Sequence, residues 1–485
     1  MYRYTQKIFA GFSLVILLNA CLDIQEINYI AFKADFEAPA NIRQGDTLYL
    51  TPGQATEGAQ TFEWYIVELN ATFSSESFVF RFDSLGRYTV RLRSSIQKST
   101  GLLRDSSQRE IWVLPPTLPL TDTKIFGLFE SDESVQDVLT LPGQNGYMLL
   151  GRRDVNILQI TRLDQNGNEI WQSEFPNLTR GRIEGTHISL TEQGYLLVCG
   201  TIQSSPQEND AFIIQLEDQG DQATVRWQKV VSSVESESYT SIFEIIQNQD
   251  VSYYAVGTIT SGGQSTIIID RYQEDGVLKS SQSFENVCSG CQSRKAQLIN
   301  RENEANLIVA GQETGSPAVF EFKIRSAELS LNNKLVLGRL RGQSHQTALL
   351  SDGKFAVVGE VESGTSDSTQ AFIMKLDVIS RSVVPTWISR TLIYQERFLD
   401  VLEGVDGDLW AIGRHYNPLS GEDIILCNFD PLSGQQNSVH LLGSPVNEGA
   451  ARFLKSETSA YIFGSVENNT ALRFRNILFA PIVLE

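Results

Sequence analysis

GYLLVCG, residues 194–200, is an apolar run that stops at a glycine, and the chain repeats this device along most of its length. The other copies are GYMLLG (146–151), YYAVG (253–257), LIVAG (307–311), FAVVG (355–359), LWAIG (409–413) and YIFG (461–464). Their terminal glycines, Gly151, Gly200, Gly257, Gly311, Gly359, Gly413 and Gly464, follow one another at steps of 48 to 57 residues. Short runs of apolar and β-branched residues bounded by turn formers are strand signals. After each glycine come a polar loop and a second such run, as in AFIIQLED (211–218) and AFIMKLD (371–377). Several copies add a turn and a third run, TVRWQKVV (224–231) and PTWISRTL (385–392) among them, and a further run such as VQDVLTL (135–141) precedes each glycine. Four strands in each repeat predict one blade of a β-propeller, whose sheets bury both faces only by packing on their neighbours around an axis. Seven blades fill residues 124–485. The last lacks an outer strand, and KIFGLF (124–129) is placed to supply it.

Upstream, Pro115-Pro116-Thr117-Leu118-Pro119 predicts a stiff, extended spacer over 115–123, because proline fixes its own backbone dihedral. Before it, residues 30–114 hold DTLYLT (46–51), TFEWYIV (61–67), SFVFRF (77–82), RYTVRLRS (87–94) and REIWVL (109–114). Tyr88, Val90 and Leu92 alternate with Thr89, Arg91 and Arg93, the pattern of a strand with one buried face. The run from Gly86 to Leu92 resembles the G-x-Y-x-V-x-L end of PKD-like immunoglobulin-fold domains, with Phe62 and Trp64 as the preceding core strand. The acidic, glycine-containing turn usual after that tryptophan is replaced by Tyr65-Ile66-Val67. The fold class expected is all-β, an immunoglobulin-like (PKD-like) β-sandwich followed by a seven-bladed β-propeller. The resemblance implies a spacer or adhesion role for the sandwich.

At the start of the chain, Arg3 and Lys7 precede an apolar run, Ile8 to Leu18, that is about half as long as a membrane span requires. Leu18-Asn19-Ala20-Cys21 resembles the lipobox of bacterial lipoproteins, which implies a signal peptide over 1–20, lipidation of Cys21 and a tether over 21–29. Asp23 and Glu26 resemble the surface-export signals of Bacteroidota lipoproteins. With blades of the form Gly-Tyr-aliphatic run-Gly, then strand-Asp-x-x-Gly-x-x-x-Trp, the chain resembles Bacteroidota-type outer-membrane lipoproteins that carry a PKD-like domain before a propeller. The resemblance implies a lipid anchor in the outer membrane, with the protein at the cell surface or on the periplasmic face.

The 39 basic and 58 acidic side chains give a formal charge of −19. Such a surface repels phosphate backbones and argues against nucleic acid as a partner. Cys199 and Cys427 lie in apolar runs and read as buried thiols. Cys288 and Cys291, in ENVCSGCQS, read as a local disulfide stiffening an exposed loop, with a redox pair or half of a zinc site as alternatives. Asp164, Asn166 and Asn168 in LDQNGNE resemble a calcium loop, but LEDQGD (216–221) and YQEDGV (272–277) at the same place make the common feature a hairpin turn. Trp171, Trp227 and Trp387 recur in third-strand positions, where they either pack blades together or dock a planar cofactor.

Counting back 13 or 14 residues from the marker glycines reaches Asp137, His187, His345 and Asp400, which are expected near the mouth of the central channel. They read as polar channel lining or, alternatively, as a metal or acid–base site; the other repeats offer Phe243, Gln297 and Ala450 there. No nucleophile elbow, phosphate loop or sialidase box is present in the sequence, so no catalytic residue, metal or cofactor is assigned. The expected function is that of a non-enzymatic surface platform that binds a protein or glycan through polar loops such as TSGGQS (260–265), ESGTSDSTQ (362–370) and HYNPLSGED (415–423). The alternatives are a structural subunit of an outer-membrane complex and a glycan hydrolase or lyase working at the channel mouth.

Overall fold

The computed structural model describes residues 32–482 apart from residues 100, 119–121, 128–130, 177–180, 206–207, 232, 234, 287, 302–303, 326–327, 339, 363–368, 380–381, 392–395, 418–420, 443–447, 456–459 and 468–474. The signal segment 1–20, Cys21 and the tether 21–29 lie outside the described residues. The chain divides into two compact units, Met1–Leu114 and Pro115–Glu485.

In the first unit a five-stranded sheet runs in the order Asn41–Arg43, Gly101–Leu114, Gly86–Lys98, Thr61–Ile66, Ala71–Phe73, and a second sheet pairs Thr47–Leu50 with Phe78–Arg81. The inward residues of both sheets meet in one cluster: Trp64, Tyr88, Val90 and Leu92 from the larger, Leu48, Leu50 and Phe78 from the smaller. Trp64 is fully buried, with Phe36 edge-on at 5.0 Å and Phe78 at 5.5 Å. The hairpin Gly86–Lys98 to Gly101–Leu114 is longer than the two separate strands expected there. Its distal part is largely polar and solvent-facing, with Ile96 opposite Leu103 and Leu102 and Leu103 exposed, so the alternation that marks a half-buried strand is absent there.

In the second unit, among the described residues, seven antiparallel four-strand arrangements follow one another in chain order. Their first strands are Glu133–Thr140, Arg182–Leu190, Ser236–Gln247, Cys291–Arg301, Gly342–Leu349, Glu396–Glu403 and Glu448–Lys455. Neighbouring sheets pack face to face and the first also packs on the seventh, closing a β-propeller. Leu150, Leu158 and Ile160 of the first blade, for example, share a core with Ile183, Val198, Phe212 and Ile214 of the second. Both faces of each blade are apolar because both are covered, which is why strands such as Leu196–Ser205 read as continuous hydrophobic runs.

Each marker glycine has one physical reason. It lies on the second strand opposite a β-bulge in the first, at Gly185↔Gly200 and Phe398↔Gly413 for instance. A Cβ on Gly200 would stand 2.1 Å from the carbonyl oxygen of Glu184, and one on Gly413 would stand 1.8 Å from that of Arg397. The bulge pushes backbone into the space a side chain would fill.

The ring closes with Lys124–Phe126 pairing antiparallel to Arg475–Ile482 as the outer strand of the seventh blade. Part of the proline-rich segment expected as a stiff, extended spacer is paired with the propeller. Thr117–Leu118 adds a parallel strand to the outer strand Gln436–Leu442 of the sixth blade, and Leu441 N donates to Pro116 O at 3.2 Å. Proline lacks an N–H but keeps its carbonyl, and its extended backbone already fits a sheet edge.

Candidate functional site at the propeller centre

All seven first strands carry a β-bulge at the equivalent place, between Val135 and Asp137, Gly185 and His187, Tyr239 and Ser241, Ser293 and Lys295, Ser344 and Gln346, Phe398 and Asp400, and Ala450 and Arg452. The second residue of each pair forms a ring of polar side chains. Asp137, His187, Ser241, Lys295, Asp400 and Arg452 are each at most 8% exposed.

Four members of this ring stitch one blade to the next. Asp137 Oδ2 accepts the Ile188 N–H at 3.0 Å, His187 Nδ1 accepts that of Ile242 at 3.0 Å, Ser241 Oγ that of Ala296 at 2.8 Å, and Asp400 Oδ2 that of Phe453 at 3.0 Å. The bulge turns a short polar side chain toward the neighbouring strand and satisfies a backbone donor that no ladder reaches. The two long cations reach further. Lys295 Nζ lies 2.7 Å from Asp137 Oδ2 and donates to Thr186 O at 2.9 Å, linking the fourth blade to the first and second. Arg452 binds Asp137 Oδ1 at 2.6 Å and stands 3.6 Å from Asp400 Oδ2.

Two carboxylates therefore face two cations in a buried cluster. Burial works against the Asp137 anion, but Arg452 and Lys295 outweigh it and hold that carboxyl well below the usual range. Burial, followed by repulsion from Arg452, pushes Lys295 down to about 8. His187 is shifted well below its ordinary value by burial and by Lys295, in keeping with a neutral ring whose Nδ1 is an acceptor. Asp400 is raised by burial against the pull of Arg452. Each charge is engaged by a partner inside the protein, so the arrangement is suited to holding the blades in register and presents no free acid, base or nucleophile.

Of the residues reached by counting back from the glycines, Asp137, His187 and Asp400 fall in this ring, buried and paired rather than lining an open mouth. His345 does not, because it is the bulged residue of the fifth blade, one position before Gln346, and its Nε2 stands 3.6 Å from Glu360. Ser241, Lys295 and Arg452 fall outside that count, and in the fifth blade the ring member is Gln346, 13 residues before Gly359, rather than His345 at 14. Glu237 and Glu448 stand four residues before Ser241 and Arg452, as Glu133 and Glu396 do before Asp137 and Asp400, and this is the sequence signal for Ser241 and Arg452; Lys295 has no such glutamate before it.

Cys288 and Cys291 are joined by a disulfide with Cα atoms 5.6 Å apart. The pair is not on an exposed loop. Both sulfurs are buried in the apolar cluster shared by the third and fourth blades, beside Phe284, Ile267 and Val309, where a disulfide packs as a nonpolar group. Glu313 lies within reach of both cysteines, the one grouping of this kind among the described residues. The sulfurs are bonded to each other and Glu313 pairs with Lys334 at 2.8 Å, so this arrangement offers no ready metal site.

The Asp164 loop is a side-chain-capped turn, with Asp164 Oδ1 accepting the N–H groups of Asn166 and Asn168 at 2.8 Å. Lys124 Nζ donates to Asn166 O and Asn168 Oδ1, placing an internal cation where a calcium loop would hold its ion. The tryptophans pack between blades. Trp227 donates to Glu274 O at 3.0 Å and Trp387 to Pro431 O at 3.1 Å, each lying over the turn glycine of the next blade, Gly276 and Gly434.

No family model matches the sequence, and no curated protein matches it. Among solved structures the chain is similar to Drosophila semaphorin 2a, with a TM-score of 0.45 and 7% identity over 76% of each chain. It is also similar to a polysaccharide lyase, with a TM-score of 0.44 and 8% identity over 72% of this chain and 90% of that one. A quinonprotein alcohol dehydrogenase-like protein from Bacteroides thetaiotaomicron gives a TM-score of 0.35 and 10% identity over 83% of this chain and 93% of that one.

Proposed function

We propose that the chain is a lipid-anchored outer-membrane lipoprotein whose propeller is a non-enzymatic platform for a protein or glycan partner. The observation that carries this reading is the neutral ion-pair cluster of Asp137, Lys295, Arg452 and Asp400, which ties up the titratable groups of the propeller centre. With the centre committed to holding the ring together, the loops at the blade edges are the natural place for recognition. The first unit is the PKD-like arm. Supporting that assignment, Tyr88 donates from its hydroxyl back to Ser84 O at 3.0 Å, the kind of corner found in immunoglobulin-like sandwiches. Cys21 is the acylated anchor, on the outer surface of the cell.

Two experiments test this. Metabolic labelling with an acyl analogue should mark the wild type and leave Cys21→Ser unlabelled, and equal labelling of both would refute the anchor. Purification of the full chain from detergent extracts should bring down a stoichiometric companion that is lost when residues 260–265 are replaced by a glycine–serine segment of equal length together with Tyr416→Ala. Turnover of a glycan abolished by Asp137→Asn, with the fold retained, would replace the platform by the enzyme reading.

A further inference from the structure

Where the fifth and sixth blades meet, the edge that bears the strand-two to strand-three loops opens into a cleft of about 380 Å³. That is the size of a small ligand site. Three carboxylates line it, Glu360, Glu396 and Glu422, together with the guanidinium groups of Arg397 and Arg414. Tyr416, 50% exposed, forms part of its wall. Thr369, Tyr416 and Glu422, which line it, come from two of the three polar stretches that stand out in the sequence, 362–370 and 415–423.

The cleft borders an unusual pair. Glu396 is fully buried, yet neither of its oxygens accepts a hydrogen bond, and His415, 2% exposed and 3.5 Å away, makes none through either ring nitrogen. On the fifth-blade side, His345 Nε2 stands 3.6 Å from the Glu360 carboxylate. This buried pair backs the cleft from behind, while the polar groups an occupant can reach are Glu360, Glu422, Arg397, Arg414 and Tyr416, all partly exposed. Arg397 and Arg414 are already bridged by Glu422, at 3.2 and 2.9 Å, and so present fixed donors next to fixed acceptors.

The charge pattern narrows the occupant. A phosphate or sulfate would meet three carboxylates, and a metal ion would meet two guanidinium groups at a place where, among the described residues, no three ligand atoms converge. A peptide needs a free sheet edge or apolar pockets for its anchors, and the lining here contains no aliphatic side chain. Hydroxyl groups both donate and accept, and so match carboxylates and guanidinium groups side by side, while an exposed tyrosine ring offers a flat apolar surface to the C–H face of a pyranose. We propose that this cleft between the fifth and sixth blades is a saccharide-binding site, with Tyr416 as the stacking platform and Arg397, Arg414 and the neighbouring carboxylates as the hydroxyl-reading groups. The assignment rests on the platform reading and names the partner class.

The test is calorimetric titration of the detergent-solubilised full chain with xylohexaose, maltohexaose, tri-galacturonate and a hyaluronan tetrasaccharide, after a printed glycan array has been used to add the strongest binder to the set. At least one should bind, and Tyr416→Ala should weaken it tenfold or more with an unchanged melting temperature. Arg397→Ala should do the same, while Tyr49→Ala, an exposed aromatic of the other unit, should bind as the wild type does. No binding by any of these saccharides, or binding indifferent to both cleft variants, would overturn the site. If a protein companion still co-purifies while every saccharide fails, the platform reading stands and the saccharide assignment alone falls.

Discussion

Asp137 is the residue on which the centre of the ring depends, because it receives Lys295, Arg452 and a backbone N–H of the second blade at once. Removing its charge leaves two buried cations short of a counter-ion, and breaking a buried pair in this way costs about 3–5 kcal/mol. Asp137→Asn should lose that much in urea unfolding of the full chain, and adding Lys295→Met should recover part of it, since an apolar replacement no longer needs the partner. A loss below about 1 kcal/mol would mean that the cluster is not what holds the blades together. His187 gives a pH signature. Lys295, Arg452 and Asp137 act on it, and its folded pKa is depressed chiefly by burial. The unfolded imidazole, near pH 6.5, therefore takes up a proton before the folded one does. Stability is full above that pH and declines below it, by up to about 1.4 kcal/mol per pH unit. His187→Gln keeps an acceptor without the titration, so the advantage of wild type over variant should shrink between pH 7.5 and 5. An advantage that stays constant would show that His187 titrates normally.

The repeat itself was legible at the level of the strand, because every apolar run had to end in a glycine opposite the bulge. The ring of polar residues was only half legible, since a count from that glycine includes the hairpin between the first two strands. In the third and fourth blades the ladder runs on to Gln247↔Asp250 and Arg301↔Glu304, which puts Ser241 and Lys295 two or three positions beyond the count and lets Phe243 and Gln297 take their place. Register is a property of paired strands, and one strand read alone does not carry it. The glycine of the hairpin turn and the third-strand tryptophan of the preceding blade, by contrast, are two halves of one contact. Gly434 has φ of +72°, and an added Cβ would stand 2.4 Å from the Trp387 ring. Gly434→Ala should therefore cost about 2–4 kcal/mol, of which about 1 kcal/mol is the left-handed backbone and the rest the clash. In a Trp387→Ala background only the backbone part remains, so the penalty should fall to about half or less. Equal penalties in both backgrounds would show that the ring does not constrain the turn.

For the whole molecule, the sequence signalled ring closure by an omission, one repeat short of its outer strand and one strand-like run left over upstream. The two-residue strand Thr117–Leu118 gave no signal, because so short a pairing has no periodicity to read. Closure joins residues more than three hundred positions apart: Leu478 pairs with Ile125, Arg475 bridges Asp132 at 2.8 Å, and Phe126 packs on the cluster of Tyr147, Phe463 and Phe479. Lys124 adds its contacts to the Asn166 and Asn168 turn of the first blade, so one short strand fastens the seventh blade to the first. A circular stack gains stability from closing only if that junction is as well packed as the others, and an open junction would expose the apolar edge of the seventh blade. The comparison that isolates this effect is a chain beginning at Asp122 against one beginning at Ser131, both lacking the first unit and the Thr117–Leu118 strand. Losing the strand and the Phe126 contact should remove about 3 kcal/mol and lower the calorimetric Tm by roughly 4 °C, since the unfolding entropy of so long a unit is large. The shorter chain should also be cleaved first by a protease within the seventh blade, because the ends of an unclosed ring are its least protected part. If the two chains melt together and are cut at the same rate, the strand at Lys124–Phe126 decorates the ring without closing it.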